Sequence, residues 1–261
     1  MKKHPVFILL LAIALLPAQQ LCAWGQKGHR IIARIAYDNL TGRARRSVDN
    51  ILGKEGIIFY ANWPDEIKSD TIYPDSYDWH FQDLDAGLSD SALIATLTDY
   101  PAVGGNLWRA TDSLTALLLR EPRNNHALRF IVHLVGDRFC PMHTAHIEDL
   151  GGNRVPFRWF TTQTNLHAVW DTHLIESQGY SYTEYAAYLQ LRYASHKADI
   201  LRRSRADELR YNYALTEAIY AYQTPWDGNT YHYIYRVREP MEWQLYCAGI
   251  TLAGLLNTIY R

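Results

Sequence analysis

The sequence predicts an all-α fold in a single domain over residues 24–261, preceded by a leader over residues 1–23. Apolar residues recur at three- and four-residue spacing through most of the chain, the signature of amphipathic helices. Only two stretches, Ile57–Tyr77 and Gly151–Thr164, break that pattern with Gly, Pro, Asn and aromatics. No Ser/Gly linker, low-complexity tract or internal repeat divides the chain, and its length suits one large domain.

The elements follow in order. Lys2, Lys3 and His4 precede an apolar run from Val6 to Leu16, then Pro17, Gln19-Gln20 and Leu21-Cys22-Ala23. That order of charged, apolar and cleavage regions predicts a signal peptide cut before Trp24, and the run is too short to span a bilayer. Leu21 is larger than the residue usually found at that point of a cleavage site. Cys22 lacks the small preceding residues of a lipidation site. His29, Ile32 and Ala36, with Ile31 and Ile35, predict a helix from near Gly28 to Thr41-Gly42. Further helices are expected over Asp112–Arg120, ended by Pro122, then Asn125–Asp137 and Asn165–Gln178. Tyr182–Arg203, Ala206–Tyr222 and Glu239–Tyr260 are expected as three more, with a short hairpin around Val155–Phe160.

Composition narrows the function. The formal net charge is −1, which argues against a high-affinity structural binder of duplex DNA, since such binding needs Lys and Arg to displace counterions. An enzyme that supplies its positive charge as bound metal is not excluded. Two cysteines remain outside the leader, Cys140 and Cys247. An exported pair could form a disulfide, and its distant spacing leaves that open.

The chemistry concentrates in two repeats of one pattern, His133-Leu-Val-Gly-Asp137 and His167-Ala-Val-Trp-Asp171. On a helix, residues four apart share a face, with Cβ atoms about 5–6 Å apart. An imidazole and a carboxylate so placed can fill two corners around zinc. One such pair is commonly no more than an ion pair. Two on strongly apolar helices are harder to dismiss, because a polar pair facing a core must be satisfied. Asp65, His80, His143 and His29 are the further candidate donors. His146, one turn after His143, is the alternative to it. His126, His173, His196 and His232, like His146, fit no ligand pattern and are expected to be structural or exposed.

In order along the chain stand Trp24-Gly-x-x-Gly-His29, Trp63-Pro-Asp65-x-Ile-Lys68, Trp79-His80-Phe81-x-Asp83, His133-Leu-Val-Gly-Asp137, Pro141-Met-His143, Gly-Gly-Asn153 and Asn-Leu-His167-x-Val-Trp-Asp171. This series resembles the single-strand-specific zinc nucleases of the mung-bean-nuclease type, a family similar in fold to bacterial zinc-dependent phospholipase C. The resemblance runs from Trp24 to about Ile175. Beyond that, only the succession of helices matches.

The resemblance implies three zinc ions. Asp65, His80, His133 and Asp137 would hold one, and His143, His167 and Asp171 a second. Trp24, through its free amino and carbonyl groups, and His29 would hold the third, with Asp137 bridging it to the first. An α-amino group ligates only when deprotonated, so export and cleavage become conditions of site assembly. The Trp24 side chain is expected to matter little.

Asp65 is expected to orient the attacking water as a ligand, and Lys68 to contact a phosphoryl oxygen. Phe81 would stack on a base, Asp83 would hydrogen-bond its edge, and Asn153 would help shape the pocket. The implied substrates are single-stranded DNA, RNA and 3′-nucleotides, without stable membrane association. Oligomeric state is left open.

One stretch departs from the family. Relatives often carry histidine and glutamine between the bridging aspartate and the proline, whereas this chain has Arg138-Phe139-Cys140. None of the replaced residues is a metal ligand, so catalysis is expected to survive. The runner-up is a phospholipase C or general phosphoesterase, although such proteins tend to carry glutamate where this chain has Asp171. A zinc-stabilised surface protein without activity is the third reading, and would be marked by a lost ligand. No ligand is lost.

Overall fold

The computed structural model describes residues 24–68, 70–100, 102–223 and 227–261. The leader, with its expected cleavage site, lies outside the described residues. Helices dominate the rest, and the described strands form one two-stranded antiparallel sheet.

The first helix, Gln26–Asp38, buries one whole side, including Ile31, Ile32, Ile35 and Ala36. It packs chiefly on Thr230–Ile259 and Tyr182–Tyr193. The Leu107–Arg120 helix lies against Asn125–Asp137, which also touches the long C-terminal helix. Ten of the thirteen residues of Asn125–Asp137 are buried, so polar groups on this helix need partners inside the protein. Asn124 starts it by accepting a hydrogen bond from the Ala127 backbone N–H at 3.0 Å, which satisfies one of the unpaired donors at a helix start.

The expected hairpin forms, pairing Pro156–Trp159 with Thr162–Asn165. Asn165 then caps the next turn by accepting from Ala168 N–H at 2.8 Å. Leu166–Ala168 is α-helical, Val169–His173 widens to a π-helix, and Leu174–Glu176 returns to α. His167 and Asp171 therefore sit on a widened helix, not on the regular one their spacing suggests.

Other boundaries also moved. Ile57–Tyr77, expected as loop, contains the short helical pieces Gly56–Phe59, Tyr60–Asn62 and Trp63–Glu66. Tyr182–Arg203 is broken into Tyr182–Tyr193, Ala194–His196 and Lys197–Ile200. Gly42–Leu52 is an additional helix, capped by Thr41 and mostly polar. The final helix starts at Thr230, well before Glu239, and carries Pro240 inside it. Asn229 accepts from His232 N–H at that start.

Candidate metal centre

Four segments bring histidine and aspartate side chains to one buried place. The first helix contributes His29, the Trp63–Glu66 turn Asp65, the segment after Ser76–Trp79 His80, and Asn125–Asp137 both His133 and Asp137. All of these except Asp65 are at most 2% exposed, and the Asp65 side chain is 5% exposed. Gly136 makes the convergence possible: a Cβ there would stand 3.0 Å from His29 Nδ1 and 3.2 Å from Ile32. His29 lies flat against His133, with ring centroids 3.8 Å apart.

Asp137 occupies the middle. Its Oδ1 faces His29 Nε2 at 3.3 Å, while its Oδ2 lies 3.1 Å from His80 Nδ1 and 3.3 Å from His133 Nε2. Asp65 Oδ1 lies 3.5 Å from His133 Nε2 and 3.7 Å from His80 Nδ1, with Lys68 Nζ at 2.6 Å. Beside this group, Asp171 Oδ1 is 3.8 Å from His143 Nε2 and Oδ2 is 3.7 Å from His167 Nε2.

Three of the histidines are held in the same way. His133, His143 and His167 each point Nδ1 at a backbone carbonyl, of Ala61 at 2.7 Å, His80 at 2.5 Å and Gly151 at 2.8 Å. Carbonyls only accept, so each Nδ1 carries the proton and each Nε2 presents a lone pair. That is the arrangement in which a histidine is oriented to bind a metal. The Nε2 atoms of His143 and His167, both ring nitrogens of His29 and Asp137 Oδ1 have no hydrogen-bond partner despite their burial. Unpartnered buried polar atoms cost about 1–3 kcal/mol each. Lone pairs and carboxylate oxygens gathered without donors fit a cation.

The electrostatics agree. Burial pushes His80 and His167 down to about 4 and His143 down to about 3, so these rings are neutral and able to ligate at neutral pH. Burial works against the charge of Asp137, but His133, His29 and His80 overcome it and hold the carboxyl well below its ordinary range. Asp171 goes the other way, raised by burial and then by the charges of Asp65 and Asp137.

A cavity of about 400 Å³ opens onto the cluster, lined by Lys68, Tyr77, His80, Phe81, Asp83, Met142, His143, Leu150, Asn153 and His167. It thus gathers Phe81, Asp83 and Asn153 beside the donor atoms. Gly151 keeps one wall close: at φ +65°, a Cβ there would meet Met142 O at 2.6 Å and Asp83 Oδ1 at 3.0 Å. Asp83 is pushed up to about 8 by burial, aided by the nearby Asp149 charge.

The first described residues reach the same place, since Gly25 N–H donates to Asp171 O at 2.6 Å. Trp24 is fully buried within the main apolar core, so its side chain matters for packing, contrary to expectation. The remaining histidines sit elsewhere. His146 stacks on Tyr220 and lies 2.7 Å from Glu217, which separates it from His143. His126 packs against Trp63, His173 stacks on Trp159, and His196 meets Trp243 edge-on. His232 is exposed beside Asp227. Cys140 and Cys247 are both free, so no disulfide joins them. Cys140, which directly precedes Pro141-Met-His143, also borders the cluster, with its sulfur within 4.8 Å of donor atoms of His143 and Asp171.

A helical protein with a buried cluster of metal-type donors opening onto an aromatic-lined cavity has the makings of a metal centre with room for a substrate. The S1/P1 Nuclease family model matches residues 24–261, and the chain belongs to that family. The match extends the resemblance over the C-terminal helices as well. Among its relatives, nuclease S1 of Aspergillus oryzae is 30% identical over 195 residues, 72% of this chain and 67% of that protein. Endonuclease 2 of Arabidopsis thaliana is 29% identical, covering 67% and 63% respectively. Endonuclease 3 of the same plant is 27% identical, covering 91% and 89%. The chain is accordingly an enzyme of the nuclease class, a hydrolase of phosphodiester bonds in nucleic acid. Among the described residues, no helix is long and apolar enough to cross a membrane.

Proposed function

We propose that the protein, after export and cleavage before Trp24, is a zinc nuclease that cuts single-stranded DNA and RNA to 5′-phosphorylated products and removes 3′-phosphate from nucleotides. The observation that carries this is the meeting of unpartnered His and Asp donor atoms with a cavity lined by Phe81, Asp83, Asn153 and Lys68. Three zinc ions would be held by Asp65, His80, His133 and Asp137; by His143, His167 and Asp171; and by Trp24 with His29 and Asp137. Asp137 suits a bridging role because its two oxygens face different histidines. When bound, zinc lowers the pKa of a bound water toward about 7 and neutralises phosphoryl oxygens.

The remaining work falls to protein groups. Asp65 keeps Oδ2 without a hydrogen-bond partner and is placed to orient the attacking water. Lys68 lies on the cavity wall beside Asp65, where its ammonium can meet a phosphoryl oxygen. Phe81 offers a face for a base, and stacking on one aromatic contributes about 1–3 kcal/mol, favouring bases already unstacked in single strands. Asp83, protonated near neutral pH by its burial, can both donate to and accept from a base edge. Asn153 anchors its loop by donating to Leu150 O at 2.8 Å.

A comparison of single-stranded DNA, RNA, duplex DNA, a 3′-mononucleotide and phosphatidylcholine tests this directly. Turnover of the single strands and the 3′-mononucleotide above duplex DNA is expected. Preference for phosphatidylcholine would replace the nuclease reading with a phospholipase.

A further inference from the structure

The one chemically distinctive residue in the departure from the family pattern is Cys140. It is fully buried at the turn between Asn125–Asp137 and the short helical piece Pro141–Thr144. Its Sγ lies 3.7 Å from Asp171 Oδ1 and donates toward it. His143 Nε2, 97% buried and without a hydrogen-bond partner, lies 3.8 Å from that Asp171 oxygen. Donor atoms of Cys140, His143 and Asp171 all fall within 4.8 Å of one another.

Tetrahedral zinc with bonds of about 2.0–2.3 Å separates its ligand atoms by about 3.3–3.8 Å. The measured pairs at 3.7 and 3.8 Å fall in that range, as does His167 Nε2 to Asp171 Oδ2 at 3.7 Å. We propose that Cys140 is a sulfur ligand of the metal position formed by His143, His167 and Asp171, an inference that rests on the zinc reading above. The thiol proton displaced by zinc leaves to solvent, as it does when any cysteine ligates.

Two consequences separate this position from the other two. Its donor set of one sulfur, two nitrogens and one oxygen is the one among the three that contains sulfur, and with four corners filled a substrate oxygen enters as a fifth ligand. Thiolate also raises its preference for zinc and softer metals over magnesium or manganese. Cys247 supplies an internal control. It is equally buried, but its sulfur accepts from Arg203 Nη1 at 3.6 Å, and it joins no candidate metal group among the described residues.

Zinc-edge X-ray absorption on the mature, zinc-loaded protein tests the ligand. A sulfur shell near about 2.3 Å is expected in the wild type and in Cys247→Ser, and is expected to vanish in Cys140→Ser. Cys140→Ser should also release the zinc of this position to a chelator at least about 10–100-fold more readily, the range for losing even an outer partner of a metal ligand. A wild-type shell of nitrogen and oxygen alone overturns the sulfur ligand and leaves the zinc centre standing. A protein that retains no zinc overturns both. The wild-type spectrum decides by itself, so the test survives a Cys140→Ser variant that does not fold.

Discussion

The two His-Asp pairs share a spacing and differ in almost everything else. His133 and Asp137 stand on a regular α-helix, where Nε2 and Oδ2 approach to 3.3 Å. His167 and Asp171 span an α-to-π change, and the corresponding approach is 3.7 Å. Around Asp137, three histidines overcome the effect of burial and keep the carboxylate ionised. Around Asp171, burial leads, and two further carboxylates add to it instead of opposing it. The first pair is electrostatically balanced by the protein. At the second, Lys68 and the Cys140 thiol oppose these effects too weakly to offset them, so the pair depends more heavily on a cation.

The largest test of this contrast is activity. Asp137→Asn should lower kcat/KM by more than about 100-fold, exceeding the usual cost of removing an outer partner, because Asp137 faces two groups of histidines. Asp171→Asn should cost less, and steady-state kinetics on single-stranded DNA ranks the two. An equal loss would remove the central role given to Asp137. Next comes the chain start. Retaining one residue before Trp24 should abolish most turnover and leave about one zinc fewer per chain, since the amine would become an amide without a lone pair to offer. Unchanged turnover and zinc content would show that this terminus is no ligand.

A smaller effect concerns stability of the metal-free protein, where the two aspartates should act with opposite sign. Asp137→Asn leaves buried histidine groups without their acceptor and should cost about 1–3 kcal/mol. Asp171→Asn should raise the melting temperature of the apoprotein at neutral pH. The sign follows from linkage: a raised carboxyl holds a proton in the folded state that the unfolded chain has already lost, so stability falls as pH rises above about 4. Asparagine removes that loss. Thermal melts of both apo variants at several pH values read the difference.

The histidines provide the smallest effect. Those pushed down to about 4 or 3 bind fewer protons folded than unfolded below pH 6.5. Apoprotein stability should therefore fall as pH drops from about 6.5 toward 4. His133 is opposed by burial but raised overall by Asp137 and Asp65, and should protonate before His167 in an NMR titration. The reverse order would erase the contrast between the pairs.

Much of the centre was legible because helix geometry is periodic. A spacing of four puts His133 over Asp137 whatever the rest of the chain does. The ordered motifs around Asp65, His80 and His143 then supplied the partners that no periodicity could reveal. The π-helix at Val169–His173 was hidden because its residues, all of modest helix propensity, carry no mark that separates a wider turn from an α-helical one. The polar Gly42–Leu52 helix lacked a broad apolar stripe, with only Ala44, Val48 and Leu52 buried. Tyr182–Arg203 carried a continuous pattern that the structure breaks at Ala194–His196. Burial of the Trp24 ring in the main core was not legible, because it is a property of the packed cluster and not of the local sequence. Cys140 was visible beside a motif and passed over because its type departs from the family pattern.

Zinc content measured by atomic emission on the mature, undenatured protein tests the centre most directly. Close to three zinc per chain is the expected result, with the position of Asp171 among them. A value of one or none would contradict a trinuclear centre built from Trp24, His29, Asp65, His80, His133, Asp137, His143, His167 and Asp171.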